Sequence, residues 1–599
     1  MATRFTGKHA HLLASPRCLV MLSALLFVLS GHGMVYATAF MSHVPPLQNQ
    51  AQYIPVLPNS AVTTVRNDIQ RTGQNLNETV LTTSNVNAST FGRRVTYAVD
   101  GQVYAQPLFM PNVLINGRLH NVVYVATEHD SVYAFDADQT NALGGLLWVH
   151  KYGSSANSTP VPTDDLFGVY RDIDPEVGIT GTPVIDPATG TLYVVTMTRE
   201  GTAPKYRYVQ RLHALDIANG FEKFNGHVEI QASVPGKGAG SVHGRIAFNE
   251  RIQNQRPGLL LLNGVVYIAW SSFGDRGPYH GWIIGYNAQT LRQVAVYNST
   301  PNGSQAGIWM GGDGLAVDNN GYIYASTGNG TFDLNNKGGK DAGDSVIKLD
   351  PRHNLSLVDY FTPFNQSCLG IHDRDLGSSG ILLFPPQISG NTIRNNLFVE
   401  GKEGRGYLLA RNHMGGYAND RTLVCGKARE ARTNVDHIVQ EFPVRTIPPI
   451  FGSAAFYTGT ATSGPYMYVG GINAPLQAYR YNQHNDGKLA TTPSSKGNVN
   501  FNYPGASPVV SANGSLPGTG IVWVISRRCS TAPCPSSPNG VLRAYDATNL
   551  NKLLYTSDEN FVRDYLSNFV KFSAPTIANG RVFVGDGNSL KIYGLLSDS

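Results

Sequence analysis

Charge is scarce in this chain. Only 15% of its 599 residues are Asp, Glu, Lys or Arg, and the formal net charge is +5. Three of the cations, Arg4, Lys8 and Arg17, sit at the N-terminus. The remainder form no basic stripe, which argues against nucleic acid as a partner. Cysteine is rarer still, at five residues, and none falls in the Cys-x-x-Cys-His spacing that attaches haem, so no haem is expected. The apolar run Cys18–Ser30 falls short of the ~20 residues needed to span a bilayer. His243, His280 and His372 lie at irregular spacings with no Glu or Cys at ligand distance, and no transition-metal site is read from them.

What the chain does have is 64 Gly, 34 Pro and 30 Tyr, the composition of a turn-rich all-β protein. Strand-forming runs recur. Val122–Trp148 reads as a β-branched strand, a polar turn, a second strand, an Asp-led turn and a strand ending in Trp148. The second strand of that unit, Val132-Tyr-Ala-Phe-Asp136, returns at Leu212, Ile284, Ile347, Tyr407, Gln477, Leu542 and Leu590. Aromatic residues follow several copies: Trp148, Phe224, Tyr297, Tyr360 and Tyr555. A further strand precedes the pair, as in Thr182-Pro-Val-Ile185 and Ser507-Pro-Val-Val510. One sheet of this size leaves both faces apolar, so the copies must stack, and about eight four-stranded units arranged radially make a β-propeller.

The first 37 residues read as a signal peptide: Arg4, Lys8 and Arg17, then the apolar run, then small-residue cleavage after Ala37. Secretion or periplasmic export is the expectation, and an uncleaved N-terminal membrane anchor is the alternative. Residues 38–63, with Pro45, Pro46, Pro55 and Pro58, read as a linker. Residues 64–599 form the propeller domain, in which 67–73 is a loop and the lone strand 93–99 is expected to complete the last blade and leave no open sheet edge. The exported cysteines, Cys368, Cys425, Cys529 and Cys534, are even in number, and we expect Cys529–Cys534 and Cys368–Cys425 bridges, with other pairings open.

The Pro-Val strand, the Val-Tyr-Val strand, Ala-x-Asp and the closing aromatic together resemble the eight-bladed propellers of the PQQ-like (quinoprotein alcohol dehydrogenase-like) superfamily, from about Thr64 to Leu596. The resemblance is to secreted bacterial members of unassigned function. It implies that PQQ and Ca²⁺ are the cofactors to consider, the metal polarising the quinone while an Asp takes the alcohol proton. The segments entering the channel supply candidates for those roles: Asp313 and Asp375 as catalytic acids or bases, Glu176, Arg245, Trp309 and Lys402 around the cofactor, and Glu176 and Asp313 at the metal. They match no complete family motif, and the adjacent Cys-Cys pair of many PQQ dehydrogenases is absent. Asp333-Leu-Asn-Asn-Lys337-Gly begins like a Ca²⁺ loop but places Lys337 where an oxygen ligand belongs.

Two functions follow. The main reading is a secreted binding or scaffold propeller for a protein, glycan or small ligand. The alternative is a PQQ/Ca²⁺-dependent alcohol or sugar dehydrogenase. A monomer is expected in either case, because a closed propeller needs no partner to bury its sheets.

Overall fold

The computed structural model describes residues 60–596 except 168–169, 390–391 and 529–538. The expected signal peptide and the Cys529–Cys534 bridge lie outside the described residues, as does all but the end of the expected linker. Strands dominate, and among the described residues they form eight antiparallel-based sheets of four or more strands and two separate two-stranded hairpins. Each of the eight repeated segments supplies a strand at the same place in one sheet, from Ser131–Asp136 in the first to Ser589–Leu595 in the last.

The central strands are apolar on both faces because both faces are covered. In Val265–Ser272, VVYIAWSS, all but the first residue are buried. Where a strand lies at the outer margin, the pattern changes to alternation, as in Ser495–Phe501. Neighbouring sheets share cores. Val122 and Tyr124 of the first sheet pack with Leu192 and Val194 of the second. At the end of the chain, Phe583 and Ile592 of the eighth sheet pack with Phe109 and Val123 of the first. Trp148 and Tyr555 pack against such shared cores, as expected of aromatic residues placed between sheets.

The strand Phe91–Ala98 pairs antiparallel with Ser589–Leu595, so a segment from the N-terminal side finishes the C-terminal sheet. A chain end held in this way is tied across the whole sequence by main-chain hydrogen bonds.

The stretch read as linker and loop has a larger part. Val62 exchanges backbone hydrogen bonds with Phe109 of the first sheet at 2.8 and 2.9 Å. The chain then circles the axis, its carbonyls accepting N–H groups from the inner strand of one sheet after another: Thr63 from Ile185, Ile69 from Val317, Gln70 from Leu383, Thr72 from Phe456 and Gly73 from Val510. Asn75 reaches the eighth sheet, donating to Ile577 O at 2.8 Å. Arg66 and Arg71, 2% and 0% exposed, fill the centre. Arg66 donates to the carbonyls of Pro508 and Ala454, and Arg71 to those of Leu315 and Val65. Gly73 has φ +69°, and a Cβ there would come within 2.5 Å of the Arg66 guanidinium, so glycine answers both constraints. The segment seals one end of the channel.

Cys368, in the helix Gln366–His372, is bridged to Cys425 across 57 residues. Such a bridge points to an oxidising, extracytoplasmic compartment. Among the described residues no helix is long and apolar enough to cross a membrane.

Candidate functional site

The inner strands run from the open end of the channel to the sealed one. In the fourth sheet, Gly311 comes first and Leu315, the partner of Arg71, follows; in the sixth, Phe451 precedes Ala454, the partner of Arg66. Above the seal lies a cavity of about 490 Å³. Tyr104, Arg256, Trp309, Phe451, Tyr503 and Phe572 line it, each from the segment leading into the first strand of a different sheet. Convergence of segments from successive sheets is what a radial arrangement produces at its axis.

One wall is ionic. Lys402 Nζ lies 2.5 Å from Asp375 Oδ2 and 2.9 Å from Asp373 Oδ1. Asp375 also accepts the Asn329 N–H at 2.7 Å. Burial raises the Asp375 pKa while Lys402 pulls it back. Burial acts against the Lys402 ammonium, but Asp375 and Asp373 outweigh it and raise its pKa. A Cβ on Gly328 would meet Asp375 Oδ1 at 2.4 Å and the Trp309 ring at 2.9 Å, so absence of a side chain there lets acid and indole approach one backbone.

The other walls are aromatic and cationic. The Arg256 guanidinium lies 4.7 Å from the Phe572 ring centroid and 5.1 Å from that of Tyr104. Lys571 is ion-paired to Asp172 at the rim. Asn254 Oδ1 is buried and has no hydrogen-bond partner in the protein, and its residue lines the cavity. A buried carbonyl oxygen left without a donor is costly, and a bound cation or donor would relieve it.

The expected site residues therefore divide. Trp309, Asp375 and Lys402 come together at the cavity. Asp313 is 1% exposed and does not line it; it lies at the seal, where burial raises its pKa and Arg66 and Arg71 oppose the rise. Glu176 Oε1 is held by His129 Nδ1 at 2.7 Å and is not part of the lining. Arg245 does not reach the channel: it is exposed in the hairpin Ser233–Pro235/Arg245–Ala247, donating to Ser233 Oγ at 2.7 Å. That hairpin is separate from the eight larger sheets, so proximity in sequence to channel segments did not carry Arg245 inward. Asp333 Oδ1 accepts the N–H groups of Lys340 and Asp341, both at 2.7 Å, and thereby organises its own loop.

Asn254, Arg256, Lys571 and Phe572 were not singled out by sequence. All four lie just upstream of an inner strand, at Leu260–Leu262 or Thr576–Ala578. That position, rather than any motif, is the signal that would have found them.

No family model matches the chain, and no curated protein matches it in sequence. Solved structures do. The quinohemoprotein alcohol dehydrogenase of Comamonas testosteroni is similar at a TM-score of 0.56 and 14% identity, over 90% of this chain and 80% of that one. A europium-containing methanol dehydrogenase is similar at 0.56 and 14%, over 90% and 98%. The quinohemoprotein alcohol dehydrogenase ADHIIG of Pseudomonas putida HK5 is similar at 0.53 and 12%, over 90% and 81%. Identities this low speak to fold, since one fold hosts many activities. With its repeated sheets, its shared cores and these likenesses, the chain has the β-propeller fold of these alcohol and methanol dehydrogenases.

Proposed function

We propose that this is an exported, monomeric, eight-bladed propeller, closed by strand Phe91–Ala98, whose axial cavity binds a planar, multiply anionic small molecule and oxidises an alcohol or sugar with it. PQQ with a divalent cation such as Ca²⁺ is the occupant that the donor set fits. The observation that carries this reading is the cavity wall itself: the partly exposed Trp309 ring beside the Lys402–Asp375 pair, with the unpartnered Asn254 Oδ1 on the same lining.

Bound there, the quinone would supply a hydride acceptor and the cation would polarise it. The protein's own groups would do the rest. Arg256, Lys402 and Lys571 would face carboxylates of the ligand, Trp309 would cover a planar face, and Asn254 Oδ1 would be the amide oxygen offered to a cation. Asp375, held in place by Lys402 and the Asn329 N–H, would accept the substrate hydroxyl proton as hydride leaves carbon.

A specific feature favours the second reading, a binding or scaffold module for a protein, glycan or small ligand. Three of the four cations lining the cavity already have acidic partners, Lys402 with Asp375 and Asp373, Lys571 with Asp172 and Arg374 with Glu430, while Arg256 lies against aromatic rings. A cavity neutralised from within needs no anionic cofactor.

Titration of the purified protein with PQQ plus Ca²⁺, following cofactor absorbance and melting temperature together, separates the two. Stoichiometric binding with a raised melting point, followed by dye-linked alcohol or sugar oxidation, is the expected result. No binding at large excess overturns the dehydrogenase reading and leaves the binding module.

A further inference from the structure

A second cluster of chemistry-bearing side chains lies on the second sheet, outside the axial cavity. His213 is on the long strand Lys205–Asp216, while Glu222 and His227 belong to the segment that turns back to the short strand Val228–Glu229. One potential ligand atom from each of the three lies within 4.8 Å of the other two. None of the three lines the cavity.

Their surroundings are those of a ligand set. His213 is 2% exposed, and its Nε2 lies 3.1 Å from Thr196 Oγ1. In the tautomer with Nε2–H donating to that hydroxyl, the Nδ1 lone pair would be free for a metal, the arrangement by which an outer partner fixes the tautomer of a metal-binding imidazole. Glu222 Oε1 lies 2.5 Å from His213 Nδ1 and accepts from Tyr152 OH at 3.2 Å. Its second oxygen, Oε2, is buried and has no hydrogen-bond partner. A buried carboxylate oxygen without a donor carries a desolvation cost that a cation would remove. His227 is exposed and its ring centroid lies 5.0 Å from that of His213.

We propose that His213 Nδ1, Glu222 and His227 form a site for one divalent d-block cation of the Zn²⁺ class, which clips the strand Lys205–Asp216 to the segment returning along its outer edge. Two imidazole nitrogens and one carboxylate suit Zn²⁺, Co²⁺ or Ni²⁺ and disfavour Ca²⁺ and Mg²⁺, which prefer oxygen ligands throughout. Tetrahedral coordination at about 2.0–2.2 Å places ligand atoms roughly 3.3–3.5 Å apart, so the 2.5 Å contact between His213 Nδ1 and Glu222 Oε1 opens to admit the ion while His227 draws in. His227, exposed and on a turn, can make that movement by side-chain rotation. Binding shifts one proton within the neutral His213 ring from Nδ1 to Nε2, where Thr196 accepts it, and water fills the fourth position. The site is independent of any occupant of the axial cavity, so the failure of either proposal leaves the other standing.

The test uses tag-free full chain stripped with a chelator and titrated with Co²⁺ as the optical probe, then with Zn²⁺ in competition. We expect one equivalent of Co²⁺, the intense visible ligand-field bands of low-coordinate cobalt, their loss on Zn²⁺ addition, and a higher melting temperature with metal. His227→Ala and Glu222→Gln alter residues that are not fully buried, and far-UV circular dichroism reports their fold. Each should weaken binding by at least about 10–100-fold, the range set by changes outside the ligand shell alone. His243→Ala, an exposed histidine elsewhere, should change nothing. Absence of the bands, or titrations unchanged in both His227→Ala and Glu222→Gln, overturns the proposal.

Discussion

The two ends of the channel use cations and acids in opposite ways. At the sealed end, Arg66 and Arg71 are almost wholly buried and direct their N–H groups mainly to main-chain carbonyls of several sheets. At the open end, the side chains of Lys402 and Lys571 are 24% and 23% exposed and meet carboxylates directly at the cavity wall. A guanidinium fits carbonyls that point inward from different directions, because its donors are fixed in one plane. An ammonium paired to a carboxylate at a wet wall can exchange that partner for a ligand. Asp313, which the sequence suggested for catalysis and metal binding, has the neighbours of the sealed end, whereas Asp375 has those of the open one.

Arg71→Ala should have the largest effect. It strands the carbonyls of Leu315 and Val65 and leaves Asp313 without one of its two nearby cations, for a loss of about 3–5 kcal/mol in urea unfolding. A change below about 1 kcal/mol would erase the distinction between the two ends.

Glu128 sharpens the comparison, as a buried acid that forms no ion pair among the described contacts. It is 1% exposed, Oε2 accepts from Gly178 N–H and Thr180 OH, Oε1 has no partner, and burial pushes its pKa up to about 7. The folded state therefore keeps a proton that the unfolded chain loses near pH 4.3–4.5, roughly the usual Glu value. Its contribution is complete below that pH and is lost as pH rises through about 7. Glu128→Gln should match the parent near pH 4 and be more stable at pH 8, by up to about 3 kcal/mol. Equal pH profiles for the two proteins would contradict the burial argument.

Asp375→Asn probes the open end. Stability should change by only about 1 kcal/mol, since Lys402 is partly exposed and keeps Asp373 as a partner when the buried Asp375 charge is removed. Dye-linked turnover of the PQQ-loaded protein should fall by about 100-fold or more, the usual scale for loss of a general base. Unfolding of this variant on the scale of Arg71→Ala would assign Asp375 to the framework instead. The smallest effect should be that of Lys571→Ala, whose partner Asp172 is 62% exposed: within about 0.5 kcal/mol, measured by thermal melts at low and high salt.

The strands were legible because each repeat carries its own pattern. Val122–Ala126, Val265–Trp270 and Ile521–Ile525 announce strands buried on both faces by their unbroken β-branched and aromatic runs. The Cys368–Cys425 bridge was read from parity and compartment, and it is present. Of the site, Trp309, Asp375 and Lys402 were legible because they stand at the mouths of inner strands. Glu176 and Arg245 have the right residue types in nearby sequence, yet one is bonded to His129 and the other is carried off on a hairpin. The stretch Val62–Asn75 was opaque for a further reason: it has no periodicity, and beyond bonds within itself, such as Gly73 N–H to Arg66 O, its main chain bonds to strands of distant sheets.

By itself, then, the sequence determined the repeat, the strand content, the stacking of sheets and the redox character of the cysteines. These follow from local residue patterns and from the need to bury both faces of each sheet. Only the tertiary structure decided which acids face the cavity, that the N-terminal segment seals one end, and that His213, Glu222 and His227 converge. Those outcomes depend on where hydrogen bonds and ring contacts between distant segments close, and no local pattern in the chain encodes them.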